Sequence, residues 1–238
     1  MKYPVLTRAH LADATIVEYD PRGIKVLQLP GGDYLKVFRL RHQYGWARLH
    51  GYAQRFSKHA RKLDQKGIPT VQVKQCYKAD NAELLKAPDF PCPTEATLTK
   101  HTYVVEYAPL AGQTLKDLLK QQLMSDTLVV QLGKFIAELH AKGIYFRSLH
   151  LGNIVLTPDG QLGLIDIADM DIYPWKLWFS TRLRSFRHLT RYATLNQSFG
   201  ISRWSLLQES YISEAKLSTL KSRWLRKKMQ DFLLHPPH

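Results

Sequence analysis

The strongest constraint on the fold is a change of hydrophobic pattern partway along the chain. Before residue 108, short runs of alternating apolar and polar residues are separated by turn residues, which is typical of strands in an antiparallel sheet. After residue 112, apolar residues recur at intervals of three and four, which is typical of helices that bury one face. The sequence therefore predicts an α+β protein with a β-rich first region and a mostly helical second region.

One helix interrupts the predicted strands of the first region. Gly31 and Gly32 separate two alternating runs and predict a hairpin, because glycine adopts positive φ without steric cost. A helix is then predicted over about residues 42–66, ended by Gly67 and Pro69. Its apolar stripe comprises Trp46, Leu49, Ala53, Phe56, Ala60 and Leu63. This spacing places the arginines and lysines of the segment on the opposite side of the helix.

The net charge of +14 is the main outlier of the composition. No acidic residue occurs between residues 37 and 63, or between residues 172 and 208. The second of these segments contains Lys176, Arg182, Arg184, Arg187, Arg191 and Arg203. Such basic faces attract nucleic acid, anionic lipid headgroups or phosphorylated sugars. A solvated basic surface without a ligand is the alternative.

Several classes of protein are not expected from this composition. No apolar run reaches the length of a membrane span, and the first twenty residues lack the apolar core of a secretory signal. The only cysteines are Cys76 and Cys92, too few for a disulfide framework or a cysteine metal site. We therefore expect a cytoplasmic protein.

Three short segments combine residues that bind phosphate and metal ions. Lys36 lies on the third predicted strand, residues 146–153 read FRSLHLGN, and residues 164–168 read LIDIA. Five positions separate Ser148 from Asn153, and thirteen separate Asn153 from Asp166. A second predicted hairpin, turning at residues 157–160, spans the latter interval.

In this order and spacing, the three segments resemble the protein-kinase-like phosphotransferase superfamily. Its members combine a strand lysine, an H-R-D-L-x-x-x-N loop and a D-F-G motif. The resemblance implies a two-lobed protein-kinase-like fold, with a β-rich N-lobe over residues 1–107 and a hinge over residues 108–112. A helical C-lobe over residues 113–238 would follow, with the catalytic loop at 146–153 and the metal motif at 166–168.

The resemblance also implies ATP and Mg²⁺ as cofactors. Lys36 would contact the nucleotide phosphates, and the backbone at Glu106 and Tyr107 would bind adenine. Asn153 and Asp166 would supply the oxygen ligands that Mg²⁺ prefers. Phosphoryl transfer requires neutralised phosphate charge and two oxygens held in line, with little covalent help from the protein.

The catalytic positions implied by the resemblance are Ser148, His150 and Asp166, and Ser148 departs from the family. It stands where the family has an aspartate that accepts the proton of the acceptor hydroxyl. Loss of a general base slows such reactions by roughly 10²–10⁴-fold without forbidding them. His150 could accept the proton or donate to the transferring phosphoryl group, and a packed loop histidine is the alternative. Asp169 and Asp171 offer further carboxylates nearby.

The first region departs from the family as well. Kinases pair the strand lysine with a helix glutamate, but residues 37–63 contain no acid and the equivalent position holds His59. A glycine-rich loop and an A-P-E motif are also absent. A protein kinase with a peptide-binding lobe is therefore not expected.

Within the superfamily, the SLHLGN box and the basic segment RLRSFRHLTRY resemble the lipopolysaccharide core (heptose or Kdo) kinases of Gram-negative bacteria. This resemblance implies a core sugar or other anionic glycolipid as acceptor, and peripheral association with the anionic inner-membrane surface. Trp175 and Trp178 would be interfacial anchors or core residues. The alternative is a pseudokinase that binds nucleotide or acts as a scaffold. A nucleic-acid partner is not expected, because no aromatic and basic RNA-reading motif is present.

Overall fold

The computed structural model describes residues 3–20, 23–39, 51–79 and 102–235. The chain divides into two compact units. The first unit comprises Met1–Asp64 and Thr70–Pro109, and the second comprises Gln65–Pro69 and Leu110–His238. The short segment Gln65–Pro69 thus joins the second unit although it lies within the first half of the chain.

An antiparallel sheet of five strands forms the first unit, in the order β1-β2-β3-β5-β4. The strands are β1 (Thr15–Asp20), β2 (Gly23–Gln28), β3 (Tyr34–Phe38), β4 (Gln72–Ala79) and β5 (Thr102–Ala108). The predicted hairpin between β2 and β3 is confirmed. Gly32 has a φ of 86°, and its N–H donates to the Leu29 carbonyl at 2.9 Å.

The one α-helix described in the first unit is α1 (Tyr52–Gln65), and a short 3₁₀ helix, Arg8–Leu11, precedes β1. The buried residues of α1 are Ala53, Phe56, His59, Ala60 and Leu63. Four of these belong to the predicted stripe, whereas Trp46 and Leu49 lie outside the described residues. The helix carries one acid, Asp64, which is exposed in its last turn.

Six helices form most of the second unit. They are α2 (Leu115–Lys120), α3 (Asp126–Ala141), α4 (Phe179–Leu189), α5 (Ala193–Phe199), α6 (Ile201–Glu214) and α7 (Thr219–Leu234). Side-chain caps begin the first two, since the Thr114 hydroxyl accepts from Asp117 N and the Ser125 hydroxyl accepts from Leu128 N. The described helices include none that is both long enough and apolar enough to span a bilayer.

Two small ladders in the second unit hold the segments of interest. One contains β6 (Gln113–Thr114), β8 (Ile154–Leu156) and β9 (Leu162–Leu164), and the other pairs β7 (Ile144–Phe146) with β10 (Met170–Ile172). The predicted β8–β9 hairpin is confirmed, whereas β7 and β10 were not predicted. Leu164 N also donates to the Pro69 carbonyl at 2.9 Å. This approach requires glycine at Gly163, because an added Cβ would lie 2.6 Å from the same carbonyl oxygen.

The predicted fold class is confirmed. A β-rich unit with one described α-helix precedes a mostly helical unit, in which two ladders flank a loop and a metal-motif segment. This order of elements is that of a protein-kinase-like fold.

Candidate active site

The loop after β7 is closed by hydrogen bonds from Asn153. Asn153 Nδ2 donates to the Ser148 carbonyl at 2.8 Å, and Asn153 N donates to the His150 carbonyl at 2.9 Å. Asn153 is buried, and Ser148 is half-buried. Because Nδ2 is used within the loop, Oδ1 is the amide atom that remains to bind a cation. No described residue donates a hydrogen bond to it.

Asp166 is brought beside this loop by the hairpin. The β8–β9 register pairs Ile154 with Leu164, and Ile165 N donates to the Asn153 carbonyl at 3.0 Å. Asp166 therefore directly follows Ile165, the residue that is hydrogen-bonded to Asn153. It is exposed and has a φ of 51°, a left-handed conformation that few residues other than glycine adopt. Backbone strain of this kind is concentrated at functional sites.

The donor set fits a magnesium ion bound together with a nucleotide. Asn153 Oδ1 and the Asp166 carboxylate are oxygen ligands, which Mg²⁺ prefers. Among the described residues, no group of three or more His, Cys, Asp or Glu side chains could hold a metal ion by itself. Magnesium sites that use one or two protein ligands take their remaining ligands from phosphates and water.

His150 is held in one tautomer by the loop backbone. Its Nδ1 accepts from Gly152 N at 3.1 Å, and its ring lies edge-on to Tyr192 at 5.3 Å between centroids. The space at Gly152 is tight, since an added Cβ would lie 3.1 Å from two atoms of the ring. When Nδ1 of a neutral imidazole accepts, the proton is on Nε2. His150 is therefore a hydrogen-bond donor toward any ligand at Nε2.

The surroundings of His150 keep it neutral. Burial lowers the pKa of the His150 imidazole, Arg191 and Lys116 lower it further, and Asp166 opposes them. Of the two roles predicted for His150, donation to a phosphoryl group agrees with this geometry, whereas proton acceptance at Nε2 does not. The side chain of Lys116 passes close to Gly152. Lys116 was not among the predicted site residues, because no motif includes it.

The carboxylates of Asp169 and Asp171 both accept hydrogen bonds from Arg147. Arg147 Nε donates to Asp169 at 2.7 Å, and a second guanidinium nitrogen donates to Asp171 at 2.5 Å. Arg147 N also donates to the Asp169 carbonyl at 3.1 Å. Both carboxylates thus anchor the start of the loop to β10. These ion pairs with Arg147 weigh against a role of either carboxylate as a substitute base at Ser148.

A chain of hydrogen bonds fixes Arg191. A guanidinium nitrogen of Arg191 donates to His188 Nδ1 at 3.0 Å, so His188 Nε2 donates to the Tyr145 hydroxyl at 3.0 Å. Arg184 and Arg187 are exposed on α4. Arg182 Nε donates to the Leu177 carbonyl at 2.9 Å, and the contact of Arg182 with substrate phosphates stays a prediction.

In the first unit, Lys36 lies beside two aromatic rings. Its Nζ is 5.8 Å from the ring centroids of Phe38 and of Phe56. Phe56 is a buried residue of α1, so this helix presents a ring to Lys36. Both distances are within the range of a cation–π interaction. His59, the position predicted to correspond to the kinase glutamate, is buried on the same helix.

Glu106 and Tyr107 lie within the sheet. Both pair with β3 on one side and with β4 on the other, and the ladder continues to Ala108. The Tyr77 hydroxyl donates to the Glu106 carboxylate at 2.7 Å, and the pKa of Tyr77 is raised to about 12 by burial and by Glu106. Ala108 is the last residue of β5 that pairs in the sheet, so the backbone is outside the ladder from Pro109 onward. Adenine binding at Glu106 and Tyr107 stays a prediction.

The second unit thus brings Ser148, His150, Asn153 and Asp166 together in one cluster, which we call the loop site. Lys36, Glu106 and Tyr107 belong to the first unit. The loop site orients two metal ligands, Asn153 and Asp166, and one neutral donor, and Ser148 occupies the position of the family's catalytic aspartate.

Comparisons with known proteins do not assign the chain to a family. No family model matches the chain, and no curated protein is similar to it. One similar solved structure is described as a divergent kinase that lacks the glycine-rich loop and regulates membrane ultrastructure of the Toxoplasma parasitophorous vacuole. It is 15% identical with a TM-score of 0.46, and the match covers 99% of this chain and 88% of that chain.

Proposed function

We propose that this protein is an ATP- and Mg²⁺-dependent phosphotransferase with an alcohol acceptor. The observation that carries the proposal is the Asn153–Asp166 arrangement. Asn153 closes the loop through Ser148, and Ile165 ties it to the segment that follows β9 and leads to Asp166. Local hydrogen bonds thus hold one amide oxygen and one carboxylate as adjacent candidate ligands for a metal–phosphate complex.

Each residue of the loop site has a defined part in this mechanism. A Mg²⁺ ion held by Asn153 Oδ1 and Asp166 would neutralise charge on the nucleotide phosphates. His150 would donate from Nε2 to the oxygen that gains negative charge, and its neutral state avoids competition with the metal. Ser148 would hydrogen-bond the acceptor hydroxyl without removing its proton. In a loose transition state that proton leaves late, so the reaction can proceed slowly without a base.

We further propose a sugar of the lipopolysaccharide core as acceptor, at the cytoplasmic face of the inner membrane. The resemblance of SLHLGN and RLRSFRHLTRY to the core kinases supports this substrate. The acid-free segment over residues 172–208 agrees with an acceptor that carries phosphates. Arg184, Arg187 and Arg191 are the exposed arginines available for such contacts.

The alternative is a pseudokinase that binds nucleotide or acts as a scaffold. Ser148 favours it, because the nearby carboxylates Asp169 and Asp171 are both engaged by Arg147. A pseudokinase would retain the metal-binding geometry but transfer no phosphate.

The test is phosphate incorporation into purified core glycolipid under saturating Mg²⁺-ATP. Wild type, Ser148→Asp and Asp166→Ala are compared, with Asp64→Ala as a control that removes an exposed carboxylate elsewhere. Activity in wild type and Asp64→Ala that is lost in Asp166→Ala supports the kinase. Transfer by Ser148→Asp alone supports the pseudokinase. Equal background in all variants rejects this acceptor, and nucleotide binding measured on the same samples then decides whether the loop site binds Mg²⁺-ATP.

A further inference from the structure

A groove in the second unit lies apart from the loop site. It is formed by the segment that precedes α4 and by the turn between α6 and α7, and its volume is about 590 Å³. Aromatic rings of Trp175, Trp178 and Phe179 line it, together with the cationic side chains of Lys176, Lys216 and Lys221. We call it the aromatic–basic groove.

Large apolar side chains at and near this groove remain in water. Trp178 is 74% exposed and Trp175 is 56% exposed. On α7, next to Lys221, Leu220 is 74% exposed and Trp224 is 59% exposed. These two lie one turn apart on the side of α7 opposite to its buried residues. Packing within the unit does not explain four such side chains, and apolar surface of this kind marks an interaction site.

The positive charge of the groove favours an anionic partner. None of its lining residues is acidic, and Lys176, Lys216 and Lys221 form no ion pair with a described residue. Lys221 Nζ is 6.0 Å from the centroid of the Phe179 ring. Tryptophan side chains beside lysines are typical of surfaces that lie at the boundary between water and an anionic bilayer.

The backbone conformation of Lys216 makes a charge of the groove removable without loss of stability. Lys216 N donates to the Ser213 carbonyl and Leu217 N to the Ile212 carbonyl, which is the Schellman motif that ends α6. Lys216 has a φ of 47° at the position where this motif prefers glycine. A lysine there is unfavourable for the turn, so glycine at this position should not destabilise the protein.

We propose that the aromatic–basic groove docks on an anionic membrane surface. Lys176, Lys216 and Lys221 bind lipid phosphates, while Trp175 and Trp178 lie in the interface. The inference rests on the membrane location in the proposed function and specifies the surface that makes the contact. None of these residues belongs to the loop site, so membrane binding and phosphoryl transfer can be tested separately.

The first test uses the strain at Lys216. Lys216→Gly removes a charge and relieves the left-handed backbone, so thermal unfolding should shift up by about 2 °C. Binding to phosphatidylcholine vesicles that contain phosphatidylglycerol should weaken about fivefold. A loss of binding together with a gain in stability cannot result from misfolding. Unchanged vesicle affinity of Lys216→Gly would overturn the proposal.

A matched control exists in the same unit. Gln122 has a φ of 61° in a second Schellman motif at the end of α2, with Gln122 N donating to Leu119 and Leu123 N to Leu118. Gln122→Gly should stabilise the protein to a similar extent and leave vesicle binding unchanged. Weaker binding by Gln122→Gly would show that relief of strain itself, and not the groove, controls the affinity, and would overturn the assignment.

The second test removes an aromatic side chain. Trp178→Ala should weaken vesicle binding about tenfold, since part of an indole ring leaves the interface. Binding by wild type should fall as salt rises and should be lost on vesicles of phosphatidylcholine alone. Equal affinity for neutral and anionic vesicles, or no effect of Trp178→Ala, would refute the surface.

Two further outcomes would also count against it. Self-association that Trp178→Ala abolishes, without vesicle binding, would assign the groove to a second copy of the chain. A wild type that binds no anionic vesicle would reject both the groove and the membrane location. A failed phosphate-transfer assay alone would reject only the kinase activity.

Discussion

The two regions predicted to handle phosphate differ in what holds their key side chains. In the loop site, Asn153 bonds to Ser148, and Arg147 bonds to Asp169 and Asp171, so the chain itself fixes the geometry. Around Lys36, two aromatic rings lie within the range of a cation–π interaction. The metal side is held by hydrogen bonds within the second unit, whereas α1, which has His59 at the position of the family's glutamate, presents the ring of Phe56 to Lys36.

This difference predicts unequal contributions to binding. A cation–π contact contributes about 0.5–1 kcal/mol at an exposed site and does not fix the direction of the lysine. A hydrogen-bonded metal site offers several kcal/mol of charge stabilisation to the reacting phosphates. We therefore expect nucleotide binding and turnover to depend more on Asp166 than on Lys36.

The largest expected effect is that of Asp166→Ala. Without this carboxylate the metal loses a charged ligand, so turnover should fall at least about 10³-fold. Lys36→Ala should cost only roughly tenfold to hundredfold. The measurements are steady-state transfer to core glycolipid, and isothermal titration of ATP with and without Mg²⁺.

The exposed acid of α1 is the control for this comparison. Asp64→Ala should bind Mg²⁺-ATP like wild type, because Asp64 lies in the last turn of α1, two turns beyond Phe56. If Lys36→Ala lowered turnover and ATP affinity as much as Asp166→Ala, the expectation that Asp166 contributes more than Lys36 would be wrong. An effect of Asp64→Ala on ATP affinity would point to an acidic partner on this helix.

The next effect concerns His150. His150→Gln removes the Nε2 donor and should lower turnover roughly tenfold. Because the pKa of His150 is lowered, the residue is neutral at pH 7, and Nε2–H remains a donor after protonation as well. The ratio of wild-type to variant rates should thus stay constant from about pH 8 to about pH 5, through the lowered pKa of His150. A general base would differ at the acidic end of this range, since the wild-type rate would fall as the pH passed below the pKa of His150 while the variant profile stayed flat.

Much of the fold could be predicted because its signals are local. The stripe of α1 and the two hairpins follow from spacings of a few residues, and Ala53, Phe56, Ala60 and Leu63 are buried as expected. The β7–β10 pair was missed, because its strands have three residues each and are far apart in the chain. The docking of Gln65–Pro69 with the second unit depends on a carbonyl at Pro69, which no side-chain pattern reveals.

The loop site shows the same limit. The spacing of Ser148, Asn153 and Asp166 fixes their backbone relation, since a short hairpin connects them. The use of Asp169 and Asp171 by Arg147 is a contact between distant segments, so sequence alone left both carboxylates open as bases. The tautomer of His150 depends on a single backbone N–H and could not be read from residue type.

A smaller effect is expected from Arg147→Lys, which tests the framework of the loop. Lysine keeps the charge but cannot reach Asp169 and Asp171 with two nitrogens at once. The side chain of Arg147 is 30% exposed, and its partners are more exposed. The free energy of unfolding should therefore fall by only about 1 kcal/mol, measured by urea denaturation. Asp169→Asn and Asp171→Asn should each reproduce part of the loss, and unchanged stability in all three variants would show that these pairs do not hold the loop.

The smallest expected effect tests the aromatic surroundings of Lys36. Phe56→Leu keeps an apolar side chain in the core but removes a ring beside the ammonium group, so ATP affinity should fall about two- to fivefold. Loss of packing should cost about 1 kcal/mol of stability. Leu63→Val is the matched control, because Leu63 is buried on the same face of α1 about two turns from Phe56. It should lose similar stability without loss of ATP affinity. Equal affinity losses in both variants would mean that the helix acts on Lys36 through packing, and an increase in affinity for Phe56→Leu would show that the ring hinders the lysine.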